Sequence, residues 1–290
     1  TLSLFYCMVG VVLVTGGSGL VGNGIREALG KHETGEEYDW VFLSSSDCDL
    51  RDKQAAVELF ERMQPKFVIH CAASVGGLFK NMKNKLTMYQ DNMDINRNVL
   101  AACHHMKVQK LVSVLTTCIF PDSIEYPFES SQLHDGAPHP SNEGYAYAKR
   151  MLEVESRLYR EQFGHNFVCA VPSNIYGKYD NFHLEDGHVV PCLIYQAYLA
   201  KKSGQTLKVL GSGAPLRQFV YSIDVGLLLI WMLFNYNDEE PLILTSNEEI
   251  SIGDLAQLIV NAWGGNIEIQ TFILPTAFNL KYNAVRFQQS

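Results

Sequence analysis

Over the first two thirds of the chain, short apolar runs alternate with longer helical stretches. "VGVVLVT" (9–15), "WVFLS" (40–44), "FVIHCAA" (67–73), "KLVSVLT" (110–116) and "NFVCAVP" (166–172) predict strands. Stretches near 20–30, 53–63, 87–107 and 145–163 predict the helices between them. Such alternation reads as an α/β fold, a Rossmann-type doubly wound parallel sheet with crossover helices. From about Asn174 the pattern turns irregular, with a helix near 189–202 and the strand-like "TLKVL" (206–210) and "RQFVYS" (217–222). The last twenty residues, "TFILPTAFNLKYNAVRFQQS", carry no convincing period, and no repeat or low-complexity segment is evident.

Composition narrows the setting. With 290 residues, 47% hydrophobic and 19% charged, the chain can bury one large core or two smaller ones. A net charge of −8 argues against a generic nucleic-acid or anionic-membrane surface, but not against a small anionic ligand held by local donors. Seven scattered cysteines, with no C-x-x-C and no metal-ligand spacing, predict a reducing compartment, the cytoplasm, and no metal site. "GLLLIWMLF" (226–234) is too short to span a bilayer. The opening "TLSLFYCMVGVVLVTGG" lacks the basic segment of a signal peptide and runs straight into a glycine loop. Met8 stands where an initiator would fit, so residues 1–7 are expected to be an extension without structural importance.

That loop, "VVLVTGGSGLVGNGIREAL" (11–29), carries the first chemistry. A strand runs into glycines and then into a helix, the context that makes a dinucleotide-binding motif credible. Gly16 permits the tight turn, Gly19 lets the backbone approach a pyrophosphate, and Gly22 lets the helix pack closely on the strand. The spacing fits G-x-x-G-x-x-G, and also G-x-G-x-x-G from Gly17. At the second strand's tip, "SSSDCDL" (44–50) puts serines where an acid would bond the ribose of NAD, and supplies no arginine or lysine for a 2′-phosphate. NADP is favoured modestly, with Asp49 and Leu50 flanking the adenine. The expected division is an NADP-binding domain over 8–173 and a smaller lobe over 174–290, interleaved with it.

"YAYAK" sets Tyr145 and Lys149 four apart, on one helix face. A neighbouring lysine can lower a tyrosine's pKa and let it exchange protons near neutrality. "SVLTTCIFP" (113–121) ends a core strand with two hydroxyls and a thiol, so Thr116 or Thr117 can bond the reacting oxygen. The Thr–Tyr–Lys set on this framework resembles the extended branch of the short-chain dehydrogenase/reductase superfamily over roughly residues 9–260. "HCAASVGGLFKN" (70–81), "TTCIFP" (116–121), "NEGYAYAKRM" (142–151), "PSNIYGKYDNFHLEDGHVVP" (172–191) and "GSGAPLRQFVYSID" (211–224) sharpen the match. Together they resemble the GDP-L-fucose synthase family.

That resemblance implies NADPH-dependent 3,5-epimerisation and 4-reduction of GDP-4-keto-6-deoxymannose. Cys118 matches the family's epimerisation base and His188 its acid; Thr116, Tyr145 and Lys149 match the reductase set. It implies a cofactor wall of Gly16, Gly17, Ser18, Gly19, Leu20, Val21, Gly22, Asp49, Leu50, Ala72, Lys149, Pro172, Ser173, Asn174, Ile175 and His188. It implies substrate contacts at Arg217, Gln196, Leu210 and Asn174, with Arg217 gripping the diphosphate. The chain departs from the family where Gln196 replaces a basic residue, where Leu210 replaces a tryptophan, and in lacking the later K-P-D-G segment. A homodimer paired through the helices near 87–107 and 145–163 is also implied. The rival readings are a reductase or epimerase of another nucleotide sugar, and a non-catalytic NADP-binding sensor subunit.

Overall fold

A computed structural model describes residues 10–31, 37–124, 127 and 129–272. The expectations for residues 1–9, Met8 and Cys7 included, and for the tail from 273 lie outside them. In chain order the elements are β1 (Val11–Thr15), α1 (Leu20–Lys31), β2 (Asp39–Phe42), α2 (Lys53–Met63), β3 (Pro65–His70), α3 (Leu78–Lys83), α4 (Lys85–Met106), β4 (Lys110–Val114), α5 (Glu143–Phe163) and β5 (Phe167–Pro172). There follow β6 (Asn174–Tyr176), α6 (Val189–Ser203), β7 (Leu207–Leu210), β8 (Leu216–Tyr221), α7 (Ser222–Asn235), β9 (Leu242–Leu244), β10 (Glu249–Ser251), α8 (Ile252–Ala262) and β11 (Ile269–Phe272).

The apolar runs form one parallel sheet in the order β2-β1-β3-β4-β5-β9. Val12, Leu13, Val14, Val68, Ile69, Leu111 and Val112 are wholly buried between helices on both faces. That double cover explains why these strands read as continuous apolar runs rather than alternating ones. Strand order reverses between β1 and β3, and a crevice opens at such a switch point beyond the strands' carboxyl ends. Local signals fix the helix ends: the Asp52 carboxylate accepts the Gln54 and Ala55 N–H groups at 2.8 and 3.1 Å, capping α2.

After Asn174 the chain is more regular than its pattern suggested. β6, β8 and β10 form one small sheet, β7 and β11 another, and α6 and α8 pack on the latter. The chain also returns to the large sheet: β9 pairs with β5, and α7 lies against α1. The two helices touch closely, since a Cβ on Gly226 would sit 2.6 Å from the Gly24 backbone. α7 is the segment weighed above only as a membrane span. Ile223, Val225, Leu229, Ile230, Met232 and Leu233 are buried while Leu228 and Trp231 are exposed. Apolar all round, it shows no amphipathic period. Among the described residues no helix is long and apolar enough to cross a membrane.

β4 stops at Val114, two residues earlier than the apolar run implied. Thr116 then caps a single 3₁₀ turn, Thr117–Ile119. The hydroxyls and the thiol therefore lie on a turn at the crevice, where their polar groups need no strand partners.

Candidate active site

A cleft of about 1450 Å³ runs along the carboxyl ends of β1–β5 and is closed on its far side by the small lobe. It gathers Gly16, Ser18, Gly19, Leu20, Val21, Asp49, Leu50 and Ala72 at one end. Thr116, Thr117, Cys118, Tyr145, Lys149, Pro172, Ser173, Asn174 and Ile175 line its middle, and His188, Gln196, Leu210 and Arg217 its lobe wall. Gly17 and Gly22 are not on the wall. Both are buried behind the turn, where a Cβ on Gly22 would lie 2.5 Å from Gly17 Cα. Their part is to let α1 start close under the loop. Gly16 has φ +68°, and a Cβ there would meet Ala72 N at 2.7 Å, so the turn crosses the β1/β3 switch point in contact with the β3 loop.

The α1 end of the cleft suits an anion. Asn23 Nδ2 donates to the Ser18 and Gly19 carbonyls at 2.8 and 3.0 Å, which holds the loop around the first free N–H groups of the helix. At the tip of β2 the Ser44 hydroxyl donates to Asp47 at 2.6 Å. A cation stands one residue beyond the stretch weighed above: Arg51 lines this end, paired with Asp49 at 2.8 Å and Asp91 at 3.4 Å.

Several polar atoms on the wall are buried yet have no hydrogen-bond partner among the described residues: Asn81 Oδ1, Asn142 Oδ1, Ser173 Oγ and Gln196 Oε1. Buried polar atoms are rarely left unpaired. Four on one cleft wall fit a ligand rich in donors and acceptors, as a dinucleotide and a nucleotide sugar are.

In the middle, α5 presents Tyr145 and Lys149 one turn apart, the lysine Nζ 6.0 Å from the tyrosine ring centre. Lys149 is buried and donates to the Val114 carbonyl at 2.7 Å. Burial brings its pKa down to about 8. Tyr145 does not have the lowered pKa that the motif suggested: burial, and then the neighbouring Cys118, push the phenol up. Desolvation outweighs a lysine aimed at backbone, so Tyr145 is held as a proton donor. Cys118 is pushed up to about 11 by burial, against the opposing pull of the Thr116 hydroxyl and Lys149. Across the cleft His188 begins α6 and is bonded through Nδ1 to Asp180 at 3.0 Å. That hydrogen bond raises its pKa.

Supporting residues escaped the sequence reading. Arg150 donates to the Ile119 carbonyl at 2.9 Å and to that of Gly136 at 2.7 Å, clamping the turn that carries Cys118. Asn92 clasps Ser74 through both its backbone groups at 2.9 Å. A buried chain runs from Ala72 N–H to Thr15 Oγ1 (3.2 Å), Thr15 to His70 Nδ1 (2.7 Å), His70 Nε2 to Asn96 Oδ1 (3.1 Å) and Asn96 Nδ2 to the Ala148 carbonyl (3.2 Å). Its direction is forced. The Ala148 carbonyl only accepts, so Asn96 donates there and accepts from His70 Nε2–H; His70 Nδ1 then accepts the Thr15 hydroxyl proton. The β1 and β3 ends are thereby tied to the backbone of α5 beside Lys149. Only "IHCAA" could have hinted at this, because a lone histidine in a strand carries no partner information.

Residues 12–253 match the NAD dependent epimerase/dehydratase family. The chain belongs to that family. Within it the similarity is to GDP-L-fucose synthases: 54% identity over 254 residues with that of Dictyostelium discoideum, covering 87% of this chain and 79% of that protein. Identity is 44% over 264 residues with the probable GDP-L-fucose synthase of Drosophila melanogaster, covering 88% and 82%. The crystal structure of a GDP-L-fucose synthetase from Naegleria fowleri bound to NADP has the same fold, with TM-score 0.86 and 42% identity over 98% of this chain and 89% of that one.

Proposed function

We propose that this protein converts GDP-4-keto-6-deoxymannose to GDP-L-fucose, epimerising C3 and C5 and reducing C4 with NADPH. The observation that carries it is the meeting, in one cleft of this family's fold, of the Cys118 turn, the Tyr145–Lys149 pair and His188 with a glycine turn. A non-catalytic binding module needs none of the acid–base set.

The residues fit NADPH. The α1 N-terminus and the Gly16–Gly19 turn would take the pyrophosphate, and Lys149 and Ser173 would reach the nicotinamide ribose. Arg51 would turn to the 2′-phosphate, since its exposed pairs with Asp49 and Asp91 contribute little by themselves. NADPH, when bound, supplies the reducing equivalent at C4.

The C4 ketone acidifies the hydrogens on C3 and C5. Cys118 removes each and His188 returns a proton from the opposite side. Tyr145 and Thr116 hold the C4 oxygen while it carries charge between those steps, and Tyr145 protonates it on reduction. On the lobe wall Arg217 would bind the diphosphate. Lys208 lines the same wall and provides a cation on β7, although position 196 carries glutamine. The absent cation at Gln196 and the absent indole at Leu210 favour one alternative, a different nucleotide sugar as substrate.

Leu86 and Tyr89 on α4, with Tyr147, Leu158 and Phe163 on α5, are exposed. We place a second copy on that face and the enzyme in the cytoplasm, whose reducing conditions suit the free thiols among the described residues. The test is incubation with NADPH and GDP-4-keto-6-deoxymannose, the product being identified by NMR. NADPH oxidation with GDP-L-fucose formed is expected. No oxidation, or a product without inversion at C3 and C5, would overturn the proposal.

A further inference from the structure

Resting on that reading of His188, we infer that the buried Asp180 carboxylate is its positioning residue, fixing Nδ1 so that Nε2–H is the proton delivered to the sugar carbon. Asp180 sits in the loop after β6, its side chain 3% exposed against 48% for His188. Its Oδ1 accepts from His188 Nδ1 at 3.0 Å and from the Asn181 N–H at 2.8 Å. Its Oδ2 is buried without a partner among the described residues. The Asp180 N–H donates to the Gly177 carbonyl at 3.2 Å, so the carboxylate is placed by backbone and not by side-chain chance. The loop is pinned again where the Gly77 N–H meets the Asp186 carbonyl at 2.8 Å.

A carboxylate only accepts, so Nδ1 must carry a hydrogen in every protonation state of the ring. Nε2 is then the one nitrogen free to gain and lose a proton. His188 stands at the N-cap position of α6, its side chain making no capping bond, where the helix dipole disfavours a positive ring. Asp180 opposes that field with a full negative charge at contact distance and keeps the imidazolium available near neutral pH. Of the other titratable groups, Glu185, Cys192, Cys118, Tyr145 and Lys149 line the same cleft, and His183 and Asp186 stand in the loop between Asp180 and His188. In the delivery step the Nε2–H bond breaks, a C–H bond forms at the sugar carbon, and the enediolate's charge is cancelled as imidazolium becomes imidazole.

The experiment reads the ring directly. In wild-type protein labelled with ¹⁵N-histidine, with the His188 signals assigned by their loss in His188→Gln, the neutral ring should be the Nδ1–H tautomer. In Asp180→Asn, which keeps the side chain's shape, the His188 pKa should fall by at least one unit. With GDP-4-keto-6-deoxymannose in D₂O, Asp180→Asn should still exchange hydrogen at C3 and C5. Net inversion at pH 7.5 should drop tenfold or more with KM unchanged, and should recover towards lower pH. A neutral Nε2–H tautomer in wild type, or an unmoved His188 pKa in Asp180→Asn, would overturn the inference. The tautomer is read in wild-type protein, with only the assignment taken from His188→Gln, so it decides even where Asp180→Asn does not fold. Both ring measurements need no turnover, so an inactive wild type would sink the proposed reaction and leave this test standing.

Discussion

Acidifying the protein from pH 7 to pH 4.5 probes the buried Thr15–His70–Asn96 chain. In the fold His70 is held neutral down to about 3, through burial first and the nearby Lys149 charge second. Unfolded, it returns to an ordinary value of about 6.5. The folded pKa is the depressed one, so between the two values the unfolded chain binds more protons. The stability this group provides is therefore complete above pH 6.5 and drains away as pH falls. At pH 4.5 the unfolded ring is about two units below its pKa while the folded ring is still neutral, which removes about 3 kcal/mol from the folding free energy. Carboxylates titrate over the same range, so the measurement is a difference: urea unfolding of wild type and of His70→Gln at half-unit steps from pH 7 to 4.5. Glutamine does not titrate, so any fixed loss of packing enters only as an offset. The wild-type advantage should shrink by about 3 kcal/mol across the series, its slope nearing 1.4 kcal/mol per unit below pH 6. A difference independent of pH would show that His70 is not held neutral and would refute the forced direction of the chain.

Tyr145→Phe should lower C4 reduction by about 10²–10⁴ with NADPH affinity unchanged, measured by turnover beside fluorescence titration of the cofactor. Cys118→Ser should abolish deuterium uptake at C3 and C5 in D₂O while C4 reduction persists, because a serine alkoxide is not available near neutral pH. With the Cys118 thiol pushed up to about 11, wild-type exchange at C3 and C5 should rise about tenfold per unit from pH 7 to 9, a slope that a flat profile would contradict. NADPH should exceed NADH in kcat/KM by a modest margin, since Arg51 is shared with Asp49 and Asp91; equal values would remove Arg51 from the cofactor site.

What could be read from the sequence was local or periodic. The glycine turn, the Tyr145–Lys149 spacing and the thiol after Thr116 and Thr117 are carried by residues within a few positions of one another. The β1, β3, β4 and β5 runs announce their burial through composition alone. α7 and β9 were hidden for opposite reasons. α7 is apolar on every side and so has no phase, while β9 is three residues long and gains its place only by pairing with β5. The long-range polar contacts were not legible at all. Thr15 and His70 are 55 positions apart, and Asn96 reaches Ala148 across 52. Asp180 and His188 are eight apart, but only the loop geometry turns them towards each other.

The resting protonation states decide how one cleft can hold two chemistries. Tyr145 and His188 are both biased towards carrying a proton, one by burial and the other by Asp180. Cys118, at about 11, is a thiol in all but a fraction on the order of 10⁻⁴ to 10⁻³ of molecules near neutral pH. Proton donors are thus in ample supply and the base is scarce. On the proposed roles, reduction needs only a donor at the C4 oxygen, whereas epimerisation needs the Cys118 thiolate as well. The same burial that keeps Tyr145 protonated also keeps Cys118 a thiol. Any cation or hydrogen-bond donor that approaches the Thr116–Cys118 turn with the substrate therefore acts mainly on epimerisation. Arg150, whose clamp on Ile119 and Gly136 fixes that turn, adds the weakest of the lowering pulls on the thiol, behind those of Thr116 and Lys149, so its part is chiefly to hold the turn in place.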